Sequence, residues 1–351
     1  MMRESIEIGG ITIKPGESAT IDLPIADLST HAPISMPVQV VHSRHEGPRL
    51  FVCAALHGDE INGVEIIRRV LRLSALKRLR GTLIAVPVVN VYGFINLSRY
   101  LPDRRDLNRS FPGRARGSLA GRLANLFLNQ IVSKCTHGLD LHTAAIHRDN
   151  YPQIRANLDD PEVAEIAKEF GVPILINASL REGSLREAAA DMNVPVIVYE
   201  AGEALRFDEA SIRAGVKGVV RTMRAIGMLP KVRNRNKFSP IVARSSIWTR
   251  ASQSGVLRSA VALGAQVNKG QTLAIIADPF GDNEEAIDAP TDGYVIGRTN
   301  LPLVHEGDAL FHIVSVTGKQ AVARDLDGFE PISEYEKGAT AELTDEPPIS
   351  P

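Results

Sequence analysis

Cysteine is scarce in this sequence of 351 residues, which contains only Cys53 and Cys135. Two thiols are too few for a disulfide framework, and both lie in apolar segments, where cysteine is typical of a packed core. No run of about 18 apolar residues occurs, so the sequence predicts no membrane span. The N-terminal residues also lack the apolar stretch of a signal peptide, and we therefore expect a cytoplasmic protein.

An excess of charge of either sign is also missing. The formal net charge is −1 at pH 7, so no long-range field favours nucleic acid or an acidic membrane surface. Neither G-x-x-x-x-G-K-[ST] nor a strand-linked G-x-G-x-x-G is present, which leaves nucleotide binding without support. Hydrophobic residues make up 44% and charged residues 23% of the chain. This ordinary globular composition predicts a protein that binds neither nucleic acid nor membrane.

What the sequence does contain is an alternation of strand-like and helix-like segments between residues 49 and 229. Apolar strands are predicted at 49–56, 81–89, 138–143, 173–178 and 194–202. Helices are predicted at 61–76, 119–135, 161–171, 184–193 and 211–229. This pattern predicts an α/β fold with a mixed central sheet flanked by helices. The long polar segment 90–114 is too mixed for a regular element and is predicted to be a functional loop.

The character of the chain changes near residue 230. Residues 230–240 are basic and polar, as in a linker, and short strands with many glycines follow as far as residue 316. These short strands predict an all-β, barrel-like C-terminal module. The final residues are acidic, rich in proline and poor in aromatics, which predicts disorder. We therefore expect a main domain over 1–232, a β-barrel-like domain over 233–330 and an acidic tail over 331–351.

Two histidines follow apolar strands that are far apart in the sequence. His57 ends the strand at 49–56, and Glu60 comes three residues later at the start of a helix. Alone, this pair is more typical of a polar loop than of a metal site. His142 ends the strand at 138–143, and strand alternation places Asp140 on the same face, where it can orient the imidazole. Two histidines and one carboxylate at strand ends fit a catalytic zinc site with one position left for water.

A hydrolytic zinc site also needs a base. Glu200 stands at the end of the apolar strand 194–202, where a carboxylate is costly to desolvate without a purpose or a partner. Such a carboxylate can accept a proton from water and pass it to the leaving amine. Glu203 is the competing candidate, but it lies beyond a glycine and is expected to be exposed. We therefore predict Glu200 as the general base.

The loop at 99–109 carries arginines that suit a carboxylate substrate. Arginine grips a carboxylate with a two-pronged geometry that lysine does not offer. Asn108 and Arg109 stand side by side before a sharp S-F-P-G turn, and together they can hold a substrate carboxylate. A solvated basic loop is the alternative interpretation, and we prefer it for Arg104.

Four short motifs, taken together and in this order, resemble the succinylglutamate desuccinylase/aspartoacylase family, which is related to the zinc carboxypeptidases. They are H-G-D-E at 57–60, D-L-N-R at 106–109, D-L-H-T at 140–143 and the strand-end Glu200. The resemblance covers residues 45 to 225, and more loosely the β module, which resembles biotinyl and lipoyl carrier domains. Carriers need a lysine at an exposed hairpin tip, and the tip predicted at 277–286 has none.

The resemblance implies a role for each motif. His57, Glu60 and His142 would bind one zinc ion per chain, Glu200 would act as general base, and Asn108 with Arg109 would bind the substrate carboxylate. The family also uses an upstream arginine to hold the oxyanion. Arg99 matches the R-Y pair of that segment, but extra residues intervene, so Arg105 remains an alternative.

The sequence therefore predicts a zinc-dependent hydrolase that removes an acyl group from a small N-acyl amino acid or a similar carboxylate. A carboxypeptidase or amidase that acts on peptides is the first alternative. A non-catalytic binding protein on the same fold is the second, although the presence of Glu200 counts against it. The family often forms oligomers, so a homo-oligomer remains open.

Overall fold

The fold is known from a computed structural model, which describes residues 3–232 and 239–315. The tail predicted at 331–351 and the centre of the predicted linker lie outside the described residues. No helix within the two described ranges is long and apolar enough to cross a membrane.

Six α-helices occur within the described ranges, and each carries an apolar face that packs on a sheet. They are α1 (Asn62–Leu71), α2 (Val91–Ile95), α3 (Leu119–Gln130), α4 (Pro161–Phe170), α5 (Leu185–Ala190) and α6 (Glu209–Ala225). Short 3-10 turns occupy Ser74–Arg78, Leu107–Arg109 and Val132–Lys134.

Local sequence signals set the ends of these helices. Asp160 caps α4 by accepting hydrogen bonds from the first backbone amides of the helix, and Pro161 takes the first helical position. Gly171 ends α4 with a φ of 82°, a left-handed conformation that glycine adopts at little cost. The hydroxyl of Ser184 caps α5 in the same way as Asp160 caps α4.

The described part of the main domain has ten strands, all of which come before α6 in the chain. They are β1 (Ile6–Ile8), β2 (Ile11–Ile13), β3 (Ser18–Asp27), β4 (Pro33–His42), β5 (Arg49–Ala54), β6 (Thr82–Val86), β7 (His137–His142), β8 (Arg148–Ala156), β9 (Ile174–Asn177) and β10 (Val196–Gly202).

The C-terminal module is rich in β-structure, as predicted. Its strands are β11 (Ile241–Ala243), β12 (Ser246–Arg250), β13 (Gly255–Ser259), β14 (Gln266–Val267), β15 (Thr272–Ala277), β16 (Glu284–Asp288), β17 (Gly293–Thr299), β18 (Leu303–Val304) and β19 (Ala309–Ser315).

Among the described residues, one mixed sheet of thirteen strands connects the two parts of the chain. Its main path runs β12-β19-β17-β8-β10-β7-β5-β6-β4-β3. The strands β10, β7, β5 and β6 are parallel, whereas β8 and β17 pair antiparallel to their neighbours on this path. The C-terminal module also contains a separate sheet in the order β16-β15-β13-β18. The sheet of the main domain therefore continues without a break into the module.

Helices cover both faces of the main sheet, and each face has its own apolar core. One core contains side chains of α3 and α5 together with the N-terminal strands. The other contains side chains of α1, α4 and α6. A third core fills the module, and a small fourth core joins β9 and β11 to β17 and β19. The predicted α/β class and mixed sheet are confirmed.

Between residues 49 and 229, one strand and one α-helix of the structure were not predicted. The strand β8 lies in a segment with charged and amide side chains and a proline at position 152, a composition typical of a loop. The helix α2 lies within the predicted loop 90–114, where Asn90 caps it by accepting a hydrogen bond from the amide of Gly93 at 2.9 Å. Both elements border the site described next.

Candidate active site

The predicted site residues meet at the carboxyl ends of the parallel strands. His142 on β7 and Glu200 on β10 are direct partners in the sheet, and on the same strands Asp140 stands beside Val198. Cys53 on β5 is the partner of Asp140 on its other side. Partners in adjacent strands project to the same face of a sheet. The imidazole of His142, the carboxylate of Glu200 and the carboxylate of Asp140 therefore share one face.

Glu60 lies between the two histidines. Its carboxylate oxygens are 2.8 Å from Nδ1 of His57 and 2.6 Å from Nδ1 of His142. All three side chains are buried, and their candidate ligand atoms lie within 4.8 Å of one another. Gly58, next to His57, packs directly on the backbone of α2, because a Cβ there would stand 2.0 Å from the backbone carbon of Gly93.

Each imidazole also contacts an outer carboxylate through its second nitrogen. Nε2 of His57 is 3.2 Å from Oδ1 of Asp106, and Nε2 of His142 is 2.8 Å from Oδ2 of Asp140. The thiol of Cys53 in turn donates to Oδ1 of Asp140 at 3.3 Å. Metal-binding histidines commonly donate their other ring nitrogen to a carboxylate, which fixes the tautomer and the ring orientation.

The charges in this cluster shift the pKa values of its members. Burial alone would raise the pKa of Glu60, but the charges of His57 and His142 outweigh burial and hold that pKa well below its usual range. Burial opposes a charge on His142 as well, yet Asp140 and Glu60 raise its pKa above the ordinary value. The anionic carboxylate and the buried imidazoles thus stabilise one another.

The donor set suits a zinc ion. Two imidazole nitrogens and one carboxylate oxygen are a common protein ligand set of catalytic zinc, in which ligand atoms stand about 3.4 Å apart. His57, Glu60 and His142 supply this ligand set close together, since their candidate ligand atoms lie within 4.8 Å of one another and both Nδ1 atoms are directed at Glu60. The carboxylates of Asp106 and Asp140 supply the outer contacts that such histidines need.

The two arginines proposed for the oxyanion occupy different environments. The guanidinium of Arg99 donates to Glu60 at 3.1 Å and to Asp106 at 3.0 Å, and only 27% of its side chain is exposed. The guanidinium of Arg105 points outward, with 63% of the side chain exposed, and contacts Asp103 at 3.8 Å. Within this loop, Arg99 lies beside the histidine cluster and Arg105 does not.

Asn108 and Arg109 lie in the 3-10 turn that follows Asp106. The amide oxygen of Asn108 accepts a hydrogen bond from the backbone of Leu185 at the start of α5, 2.9 Å away. Its amide nitrogen is therefore the part suited to donate to a substrate. The guanidinium of Arg109 is exposed and donates to the carbonyl of Asn108. Partial burial of the side chain lowers the pKa of Arg109, an effect that Asp106 opposes and that the nearby Arg181 and Arg99 add to.

Glu200 is held by side chains of β8. One carboxylate oxygen is 3.2 Å from Nε of Arg155, and the other accepts a hydrogen bond from the amide of Asn150 at 2.8 Å. Glu203, the competing candidate, accepts from the backbone of His147 and from the amide of Asn300, each at 2.9 Å. Glu203 thus connects a loop of the main domain to the C-terminal module, whereas Glu200 is the sheet neighbour of His142.

Comparison with known proteins identifies the family. The model of the succinylglutamate desuccinylase/aspartoacylase catalytic domain matches residues 46–226. The chain belongs to this family. The matched range contains the four sequence motifs and ends where α6 ends, so the resemblance read from the motifs is confirmed.

Individual members of the succinylglutamate desuccinylase/aspartoacylase family match most of the chain. The N-alpha-acetyl-L-2,4-diaminobutyric acid deacetylase of Halomonas elongata is 28% identical over 310 residues, which are 84% of this chain and 90% of that protein. The ectoine utilization protein EutE (DoeB) from Ruegeria pomeroyi superposes with a TM-score of 0.77 at 23% identity, covering 90% of this chain and 96% of that one.

A succinylglutamate desuccinylase/aspartoacylase from Rhodobacter sphaeroides also superposes with a TM-score of 0.77, at 21% identity, covering 91% of this chain and 99% of that one. These superpositions extend past the main domain into the β-rich C-terminal region. The chain therefore has the fold of the family over both parts.

Reasoning from the sequence missed several side chains that contact the candidate site residues. Asp106 stands in D-L-N-R but was given no separate role, although the motif places it two residues before Asn108. Asn150 and Arg155 were missed with the strand that carries them. The signal that points to Arg155 is its position between apolar residues in Q-I-R-A, where an unpartnered charge would be costly.

Proposed function

We propose that this chain is a zinc-dependent hydrolase that removes an acyl group from an N-acyl amino acid or a similar small carboxylate. The observation that carries the proposal is the cluster of His57, Glu60 and His142, with Glu200 as the sheet neighbour of His142. The family is one of N-acyl amino acid deacylases, and the Halomonas elongata relative is a deacetylase, which supports the same chemistry.

His57, Glu60 and His142 would hold one zinc ion per chain through the two Nδ1 atoms and a carboxylate oxygen. A zinc ion bound there lowers the pKa of water and polarises a carbonyl as a Lewis acid. Asp106 and Asp140 keep both imidazoles oriented with the Nδ1 atoms toward Glu60. We assign this chemistry to residues 1–232, with the C-terminal module as a second domain.

Glu200 is the proposed general base. Arg155 and Asn150 fix its carboxylate beside His142, so that it can take a proton from the attacking water. The same carboxyl group then gives that proton to the amine nitrogen as the amide bond breaks. The products are a free carboxylic acid and the amino group of the amino acid.

Arg99 is the proposed oxyanion residue. Its guanidinium already stands at the histidine cluster, held by Asp106, and can donate to the carbonyl oxygen as negative charge develops there. Asn90 holds the backbone of this arginine through a hydrogen bond of 3.3 Å to its carbonyl. A cation positioned before the reaction needs no reorganisation during it.

Arg99→Met is expected to lower kcat by about a hundredfold, because the loss of one preorganised oxyanion donor typically costs that much. Arg105→Met is the matched control: it removes an arginine from the same loop, but one with an exposed guanidinium, and should leave kcat nearly unchanged. Steady-state kinetics of the two variants compares them directly. A large loss of kcat in Arg105→Met, with little loss in Arg99→Met, would assign the oxyanion role to Arg105.

Arg109→Lys is expected to raise KM by about tenfold for a substrate with a free carboxylate, because lysine cannot make the bidentate contact. The carboxamide analogue of the same substrate should show almost no change. Arg105→Lys serves as the control for charge in this loop. An equal rise in KM for the acid and the amide would show that Arg109 does not recognise the carboxylate.

The proposed function is tested by a hydrolysis screen of N-acyl amino acids that varies the acyl group and the amino acid. The set should include N-alpha-acetyl-2,4-diaminobutyrate, and peptides with a free C-terminus. We expect turnover of N-acyl amino acids that stops with a chelator and returns with zinc. Turnover of peptides alone would favour a carboxypeptidase, and turnover that a chelator does not affect would contradict the zinc site.

A further inference from the structure

Asn90 lies at the start of α2, between the turn that carries His57 and the loop that carries Arg99, and 0% of its surface is exposed. Its side-chain oxygen accepts from the amide of Gly93 at 2.9 Å, and its side-chain nitrogen donates to the carbonyl of Arg99 at 3.3 Å. Its backbone N–H donates to the carbonyl of Ala55 at 2.9 Å. One buried residue is therefore bonded to both the turn and the loop.

The bond to Ala55 supports a strained part of the turn. Ala55 is buried with a φ of 48°, and a residue other than glycine keeps this left-handed conformation only where the surrounding structure holds it. A second bond joins the same two segments, from the amide of Val89 to the carbonyl of Ala54 at 3.1 Å. His57 follows Ala55 by two residues, so the segment that contains Asn90 fixes the turn that leads into this histidine.

The turn, the helix α2 and the loop are also packed closely against one another. A Cβ at Gly58 would stand 2.0 Å from the backbone carbon of Gly93. A Cβ at Gly93 would in turn stand 2.6 Å from Nδ2 of Asn90 and 2.6 Å from the carbonyl oxygen of Ser98. The amide of Ser98 donates to the carbonyl of Gly93 at 2.8 Å. These contacts leave little room for the turn and the loop to shift separately.

The guanidinium of Arg99 depends on this backbone position. It donates to Glu60 at 3.1 Å and to Asp106 at 3.0 Å. These contacts hold the end of a long side chain, but they do not fix the Cα atom from which the side chain extends. The bond from Asn90 holds the backbone of the same arginine. Such support matters because small displacements of a positioned group reduce its effect on a reaction.

We propose that Asn90 is a positioning residue for the oxyanion arginine. Its side-chain amide holds the backbone of Arg99, its backbone N–H holds the turn before His57, and together they set where the guanidinium lies relative to that histidine. The kinetic consequence of this inference rests on the proposed function. The positional consequence does not, because the order of the Arg99 side chain can be measured without hydrolysis.

The test compares the full-length wild type with Asn90→Asp. Aspartate keeps an oxygen that can cap α2, but it replaces the donor to Arg99 by an oxygen that repels the carbonyl. Asn96→Asp is the matched control, since it makes the same change in the same loop at an exposed residue whose amide bonds Tyr92 at 2.9 Å. Asn90→Ser is the second variant, because it keeps a capping oxygen without burying a charge, in case Asn90→Asp fails to fold.

Asn90→Asp should lower kcat by about tenfold, because the guanidinium of Arg99 is no longer held in place, while KM and zinc content stay nearly unchanged. If Asn90 acts through Arg99, the double variant Asn90→Asp/Arg99→Met should be no slower than Arg99→Met alone, about a hundredfold below wild type. Independent effects would instead multiply to about a thousandfold. Asn96→Asp should behave like wild type.

Nitrogen-15 relaxation of the Arg99 Nε–H group provides a measurement independent of hydrolysis, and the signal is identified by its loss from Arg99→Met. We expect this group to be ordered on the picosecond-to-nanosecond timescale in wild type and in Asn96→Asp. Its order parameter should fall in Asn90→Asp and in Asn90→Ser. A purely structural role of Asn90 would lower the thermal stability without changing the order of this side chain.

An Arg99 side chain as ordered in both Asn90 variants as in wild type would overturn the positioning role. So would a double variant about a thousandfold slower than wild type, because it would show that Asn90 acts independently of Arg99. The proposed function would survive either result if N-acyl amino acids were still hydrolysed. Conversely, loss of order in the Asn90 variants, without hydrolysis of any substrate by wild type, would retain the positioning role and remove the proposed function.

Discussion

Glu200→Gln should lower kcat by about a thousandfold, within the range that general acid–base groups contribute, while zinc stays bound. Glutamine has nearly the shape of glutamate, and its amide oxygen can still accept from Arg155 or Asn150, so the strand β10 and the neighbouring His142 should keep their positions. It cannot accept the proton of the attacking water. The variant should therefore bind substrate with nearly unchanged KM and fail in the chemical step.

Single-turnover kinetics, together with the zinc content and Tm of the purified variant, checks this expectation. Glu203→Gln is the matched control, because Glu203 stands three residues later and bonds a loop rather than facing His142. It should retain most of the activity. Normal turnover by Glu200→Gln would show that Glu200 takes no part in the mechanism. Loss of zinc from this variant would show that Glu200 has a structural role instead.

His142→Ala should lose both zinc and activity. Only two of the three proposed protein ligands would remain. Asp140 and Glu60 would each also lose a buried contact with the imidazole, at 2.8 Å and 2.6 Å. Loss of a residue that only hydrogen-bonds to a metal ligand typically weakens metal binding by about 10- to 100-fold. Loss of a ligand itself should weaken binding by more than that. Hydrolysis should fall to the level of the chelated wild type.

Competition with a zinc chelator measures the affinity of this variant, and thermal unfolding with and without added zinc measures the linked stability, since an ion that binds only the folded chain raises Tm. His147→Ala is the control, because that imidazole is exposed and lies in the loop after β7. A His142→Ala protein that retained stoichiometric zinc would show that the ion binds elsewhere.

The strand ends made much of the site predictable from sequence. His57, His142 and Glu200 each terminate an apolar segment, and parallel strands bring their carboxyl ends to one edge of a sheet. That rule requires no knowledge of strand order. It is why the three side chains could be grouped before the fold was known, and why Glu60, one helical turn after His57, could be added to them.

The strand β8 could not be found by the same reasoning, because its residues do not alternate cleanly. A β-bulge shifts the register between Glu200 and Gly202 on β10, so Asn150 reaches Glu200 although Gln153 is its sheet partner. Pro152 and several charged side chains further weaken the strand signal. Arg155 and Asn150, the two side chains of β8 that contact Glu200, were missed for this reason.

The spacing of residues in the loop before D-L-N-R likewise did not decide whether Arg99 or Arg105 holds the oxyanion. Extra residues separate Arg99 from the motif, whereas Arg105 directly precedes it, and sequence distance in a loop does not fix the direction of a side chain. The helix α2 and its Asn90 cap determine where Arg99 lies, and such tertiary contacts cannot be read from a local pattern. The contacts of Arg99 with Glu60 and Asp106 are the structural basis for assigning the oxyanion role to it.

X-ray absorption spectroscopy at the zinc edge of the purified protein tests whether His57, Glu60 and His142 bind one zinc ion. We expect one zinc per chain, with nitrogen and oxygen scatterers at about 2.0–2.2 Å, imidazole signals from two histidines and no sulfur. The Glu60→Ala protein should lose this spectrum. Sulfur scatterers from Cys53 or Cys135, or a wild-type spectrum that persists in Glu60→Ala, would contradict the proposed site.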